Sequence, residues 1–137
     1  WPECISISGP QGEAARQWYL ENKITLLTWS SMAGGFWSGN FTREMFETNP
    51  DEIPDLVRRC YCGDSNFTRL ERVQQLAQEK GLSVPLIANA YIFNQPQDIF
   101  PLIAARSGEE CAENIKAMNV ELTPTEIAWL ELKTDER

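Results

Sequence analysis

The sequence contains no histidine at all. That absence removes His-based triads and histidine general bases from this chain. It also removes the commonest zinc ligand, so a metal site would have to gather thiolates or carboxylates from distant positions. The four cysteines, Cys4, Cys60, Cys62 and Cys111, are too sparse for a disulfide scaffold. Cys60-Tyr61-Cys62 is a C-x-C pair, not the C-x-x-C of redox and zinc motifs, and reads as structural thiols of a cytosolic protein. Positive charge is also scarce. Twelve basic residues face 20 acidic ones, a formal charge of −8. A nucleic-acid or anionic-membrane surface is disfavoured by that balance. No run approaches the roughly 18 apolar residues of a membrane span. No basic n-region followed by an apolar h-region marks a signal peptide. Repeats and low-complexity tracts are missing too. What is present is a 42% hydrophobic composition, ordinary for one globular domain over 1–137.

The pattern along the chain alternates helix and strand. Residues 1–11 carry two prolines, serines and Gly9 and read as a loop. Gly12 to Asn22 is rich in helix formers. Ile24 to Trp29 is short, nearly continuously apolar and bounded by a loop, which predicts a strand buried on both faces. The prolines at 50 and 54 break the next stretch, leaving room for short helices at Arg43–Glu47 or Asp55–Arg59. Asp64-Ser65 reads as an N-cap. Phe67, Leu70, Val73, Leu76 and Ala77 then repeat at helical spacing up to Lys80-Gly81. Ser83 and Pro85 open another helix that Asn94-Gln95-Pro96 stops. Ile99 to Ala104 predicts a second strand. Ser107 caps a helix from Gly108 to about Met118, and Thr123-Pro124-Thr125-Glu126 is a capping box before the last one.

Strands separated by helices imply parallel pairing through right-handed crossovers. Two parallel strands leave both sheet edges open, whereas a (β/α)8 barrel takes about 250 residues. The chain also begins with Trp1-Pro2 rather than Met. The expectation is therefore an α/β chain that forms the C-terminal portion of a TIM barrel, about two parallel strands with several helices, excerpted from a longer protein.

The richest segment follows the first strand: Thr28-Trp29-Ser30-Ser31-Met32-Ala33-Gly34-Gly35-Phe36. An aromatic residue, two hydroxyls and a Gly pair at a strand tip describe a loop that approaches a ligand closely. This loop resembles the seventh-strand loop of the aldo-keto reductases. Phe100-Pro-Leu-Ile-Ala-Ala-Arg-Ser-Gly-Glu-Glu-Cys-Ala-Glu-Asn114 resembles their eighth-strand loop and following helix. The helical connection between the two, and the Leu122-Thr-Pro-Thr-Glu-Ile start of the last helix, fit the same pattern, so the likeness covers the chain from about Gly12 onward.

The resemblance implies a nicotinamide dinucleotide, NADP(H) with NAD also possible, and a small carbonyl substrate reduced by hydride transfer. It implies that Trp29 stacks on the nicotinamide and that Ser30, Met32, Ala33 and Gly35 pass along the pyrophosphate. It implies that Arg106 and Ser107 sit where the family places the adenosine 2′-phosphate, with Ala104 and Glu110 among the cofactor-binding positions, and that Glu113 and Asn114 meet the adenine edge. Barrel phosphate sites formed by the last two strand loops and a helix N-terminus agree with that placement, and Arg106 offers a fork-shaped permanent cation. The family's proton-donating tyrosine and its Lys, His and Asp partners have no match here, so no catalytic residue is assigned and the chain alone is expected to be inactive.

Three departures from the pattern matter: Glu110 stands where Arg or Gln is frequent, Asn40 where Lys is frequent, and Ala104 where Gly or Lys is common. Other readings have their own residues. Trp29 alone would pass for a core residue at a strand end, and Arg106-Ser107 for a solvated charge beside an ordinary cap. A non-catalytic, cofactor-binding regulatory relative and a small α-rich interaction domain are the competing functions. Two helices meeting at Lys80-Gly81-Leu82-Ser83 look like a helix-turn-helix, but the second has no Lys or Arg. Phe36 and Trp37 are candidates for the edge of a substrate pocket.

Overall fold

The computed structural model describes residues 1–3 and 9–137. Cys4 and the middle of the 1–11 loop lie outside the described residues. In chain order the elements are helix α1 (Glu13–Glu21), strand β1 (Leu26–Thr28), helices α2 (Arg43–Thr48), α3 (Asp55–Cys60), α4 (Asp64–Lys80) and α5 (Val84–Phe93), strand β2 (Ile99–Pro101), and helices α6 (Gly108–Ile115) and α7 (Pro124–Leu130). Short 3-10 turns occupy Pro10–Gly12, Ala33–Ser38, Pro50–Glu52 and Lys116–Asn119.

Helix α4 buries the stripe its spacing predicts: Phe67, Leu70, Val73, Leu76 and Ala77 are each at most 3% exposed. Each large aliphatic or aromatic side chain so buried contributes roughly 1.5–3 kcal/mol. The helix begins one residue before the predicted cap, with extended Gly63 as N-cap and Asp64 at its first position. It ends where Gly81 turns left-handed at φ 65°, and the Leu82 N–H donates to Ala77 O at 2.9 Å. Helix α5 follows after three residues and is buried on every side from Leu86 to Ile92. A helix apolar all round belongs inside a core, which leaves no face for a DNA groove. Phe36 and Trp37, from the turn after β1, meet edge to face and are fully buried against this helix pair, with Val57 of α3 and Leu130 of α7 completing the centre. Helix α7 carries the predicted capping box, Thr123 Oγ1 accepting from the Glu126 N–H while Glu126 accepts from the Thr123 N–H.

The two strands pair in parallel, as expected, with Leu26 opposite Ile99, Leu27 opposite Phe100 and Thr28 opposite Pro101. Both are shorter than predicted. Among the described residues the sheet has two strands, and Ser30 leaves the extended region at φ 57°. The last helix before α7 is shorter as well, since α6 gives way to a 3-10 turn after Ile115. Burial on both faces is the expectation that fails. Leu27 is 69% and Phe100 57% exposed, because the helices cover only the side that holds Leu26, Thr28 and Ile99. No helix among them is long and apolar enough to cross a membrane.

Candidate functional site

Parallel pairing makes both strands leave the sheet at the same edge, so the loop from Trp29 and the loop from Leu102 start side by side. Backbone bonding continues past the ladder, the Leu102 N–H donating to Thr28 O at 2.7 Å. Ser31 ties the two exits together: its buried Oγ lies 3.2 Å from Leu102 O and 3.4 Å from Thr28 O. Sequence reasoning passed over Ser31. The only signal was its position within the hydroxyl pair, where Ser30 drew the assignment.

The first loop is held in an unusual backbone shape. Ser30 (57°), Ala33 (50°), Gly34 (64°) and Gly35 (96°) all have positive φ. Two of the four are not glycine, a conformation that side chains adopt at a cost and that clusters where ligands are gripped. Gly34 has no freedom to change, because a Cβ there would stand 2.9 Å from Val57 Cγ2. The loop is thus fastened to the core by Ala33, Phe36 and Trp37, while Trp29 at its start projects outward, 65% exposed. The expectation of a plain core tryptophan fails on that number.

A groove of about 740 Å³ runs beside the strands. It brings together Trp29, Ser30 and Ala33 of the predicted residues, with Trp37, Tyr61 and Tyr91. Trp1 stacks there on Trp37 and Tyr91, at ring-centre distances of 4.2 and 3.9 Å. The Tyr61 hydroxyl stands 3.4 Å from Ser30 Oγ, and the Tyr91 hydroxyl donates to Glu131 at 2.7 Å. The two pocket-edge candidates, Phe36 and Trp37, both lie in the core; Trp37 borders this groove but is itself fully buried, with Trp1 stacked on it. Met32 and Gly35 do not line the groove, and neither do Ala104, Arg106, Ser107, Glu110, Glu113 or Asn114 of the second loop and helix.

Those second-loop residues form their own network. Ser107 caps α6 as predicted, its Oγ accepting from the Glu110 N–H at 3.1 Å. Glu110 Oε2 accepts from the Arg106 N–H at 2.8 Å and stands 3.3 Å from Arg106 Nε. Those two contacts, the backbone one first, hold the Glu110 carboxyl below its usual range. Glu113 pairs with Lys116 at 2.5 Å on the exposed side of α6. Asn114 turns inward, its Oδ1 3.5 Å from Asn89 Nδ2 of the buried α5. Ala104 is exposed and Asn40 donates its N–H to Ser38 Oγ. Burial raises the Cys62 thiol, which disfavours its thiolate.

A mixed α/β chain with adjacent parallel strand tips and a strained, aromatic-headed loop is the class of structure in view. The chain belongs to the aldo/keto reductase family, whose family model matches residues 12–134. It is 31% identical over 109 residues to the putative aryl-alcohol dehydrogenase YFL057C of Saccharomyces cerevisiae, which covers 79% of this chain and 72% of that protein. It is 26% identical over 139 residues to the versiconal hemiacetal acetate reductase of Aspergillus parasiticus, with 96% of this chain and 40% of that protein covered. It is 32% identical over 114 residues to the putative aryl-alcohol dehydrogenase AAD14 of Saccharomyces cerevisiae, with 79% of this chain and 29% of that protein covered. The chain therefore spans less than half the length of the last two relatives.

Proposed function

We propose that this chain supplies part of the nicotinamide dinucleotide cradle of an oxidoreductase acting on aldehydes or ketones, and that the proton-transfer residues lie outside it. In this reading Trp29 offers its open face to the nicotinamide ring. The strained backbone of Ser30, Met32, Ala33 and Gly35 follows the pyrophosphate. Arg106 and Ser107 receive the adenosine end, with Ala104, Glu110, Glu113 and Asn114 around it. The observation that carries the reading is the shared exit of the two strand tips, locked by Ser31 across to Leu102. A ligand spanning both loops would meet a backbone that is already arranged, which lowers the ordering cost of binding.

What these residues can do is bind and orient. An exposed indole can stack on a flat heteroaromatic ring, worth about 0.5–1.5 kcal/mol beyond the area it covers. Reduction of a carbonyl needs a hydride, carried by the dinucleotide, and a proton donor near the carbonyl oxygen. Three tyrosines line the groove, Tyr19, Tyr61 and Tyr91; the Tyr61 hydroxyl stands by Ser30 Oγ, the Tyr91 hydroxyl donates to Glu131, and none of the three matches the position of the family's proton donor. The chain alone is therefore assigned no turnover.

Fluorescence titration with NADPH and NADH tests this. Binding is expected, and Trp29→Ala should weaken it about tenfold, roughly 1.4 kcal/mol, while leaving the unfolding midpoint unchanged. A folded chain blind to both nucleotides would support the interaction-domain reading instead. Carbonyl reduction by the purified chain would overturn the assignment of the proton-transfer residues elsewhere.

A further inference from the structure

Across the two loops that form the proposed cradle, the charges are few. Residues 24–42 carry none, and Arg106 is the one cation between residues 81 and 115, against Asp98, Glu109, Glu110 and Glu113. That single cation already has a partner. The Glu110 carboxylate takes both the backbone N–H and the Nε edge of Arg106 through one oxygen, and the Ser107 cap pins the Glu110 backbone beneath it. The fold thus sets a fixed carboxylate against the guanidinium that a ribose phosphate would need.

Carboxylate and guanidinium are the two groups that distinguish dinucleotides at this atom: the first accepts a hydrogen bond from a free 2′-hydroxyl, the second pairs with a 2′-phosphate. Here the chain carries both, bonded to one another. The geometry points to Glu110 as a specificity-determining residue that favours a dinucleotide with a free ribose 2′-hydroxyl over its 2′-phosphorylated form. This rests on the cradle reading above. A 2′-phosphate brings close to two negative charges towards the carboxylate, and the single positive charge of Arg106 is already shared with Glu110. A 2′-hydroxyl brings no charge and leaves the pair intact. Replacing Glu110 by Gln keeps the acceptor for the Arg106 N–H, removes the charge and frees the guanidinium.

The test is calorimetric titration of the 137-residue chain and its Glu110→Gln variant at low ionic strength, with NADH, NADPH and adenosine 2′,5′-bisphosphate. Circular dichroism checks that the variant folds, and the pair is solvent-exposed, so folding does not depend on it. The wild-type chain is expected to bind NADH at least as tightly as NADPH. Glu110→Gln should raise the affinities for NADPH and the bisphosphate about tenfold and leave that for NADH no tighter, so the NADPH-to-NADH affinity ratio rises at least about tenfold, a gain that shrinks as salt screens the charges. Adding Arg106→Ala should cancel the gain in the Glu110→Gln background and cost little in the wild type, the signature of coupled residues. A wild-type preference for NADPH, or a Glu110→Gln variant whose NADPH-to-NADH ratio is unchanged, overturns the inference while NADH binding that responds to Trp29→Ala leaves the cradle reading standing. Failure of both proteins to bind any of the three probes sinks the cradle reading and this inference with it.

Discussion

The helical half of the molecule and the strand half are built to different standards. Around α4 and α5 the apolar side chains are almost wholly enclosed: Phe36, Trp37, Val73, Ile87 and Leu130 have no exposed surface. Along the strands the large apolar residues stand open, with Leu27 at 69%, Trp29 at 65%, Phe100 at 57% and Leu102 at 54%. The same chain therefore folds around one region and offers the other. The loop from Trp29 to Ser38 joins them, since its beginning is exposed and its end is core. Stability and the proposed ligand contact are thus separated by fewer than ten residues of sequence, and substitutions within that loop should divide cleanly between the two.

The largest effect should come from cutting the core side of the loop. Trp37→Ala is expected to cost about 3–5 kcal/mol, read as a fall in the urea midpoint without a change in slope. Next is the buried Arg69, whose Nη1 donates to Asn66 Oδ1 at 3.0 Å and whose Nη2 meets Glu3 Oε1 at 3.3 Å. The hydrogen bond from Arg69 holds the Glu3 carboxyl below its usual value of 4.5. A depressed folded value means that this stabilisation is complete above the unfolded carboxylate range and is lost as pH falls through the folded value. Glu126 behaves alike: burial opposes its charge, but Lys80 and the Thr123 N–H outweigh it. Unfolding measured from neutral pH downward should therefore show a loss that begins near the ordinary carboxylate range. Glu3→Gln should flatten that limb and cost on the order of 1 kcal/mol at neutral pH.

Thr123→Ala removes the side chain that caps α7 and should cost about 0.5–2 kcal/mol, again by urea unfolding. The smallest effect sharpens the comparison most. Leu27→Thr, on the open sheet face, should change stability by no more than about 0.5 kcal/mol. A loss of 2 kcal/mol or more would mean that this face is covered in solution, and the contrast between the two halves would vanish.

Local sequence rules accounted for much of the fold. The stripe from Phe67 to Ala77, the left-handed stop at Gly81 and the Thr123 capping box were legible because each depends on neighbours within a turn or two. The Ser107 cap was legible for the same reason. The two strands were recognisable as apolar runs and their parallel pairing followed from the intervening helices. Their burial was not legible. Periodicity shows that Leu27 and Phe100 are apolar, but whether anything covers them depends on which other segments are present. The candidate site divides along the same line. Trp29 and the Gly34-Gly35 pair announced themselves by residue type. Ser31 and Tyr61 did not, because their roles come from Leu102, 71 residues away, and from Ser30, 31 residues away.

The sequence by itself determined where helices start and stop, which side chains could fill a core, and that no histidine chemistry operates within this chain. Those outcomes rest on short-range geometry and on composition. The tertiary structure alone decided that two strand tips share an edge, that Ser31 bonds across them, and that Trp29 faces outward while Trp37 faces in. Such facts depend on which distant backbone segment arrives beside a given residue, and on the direction a side chain takes once a strained loop has fixed its Cα.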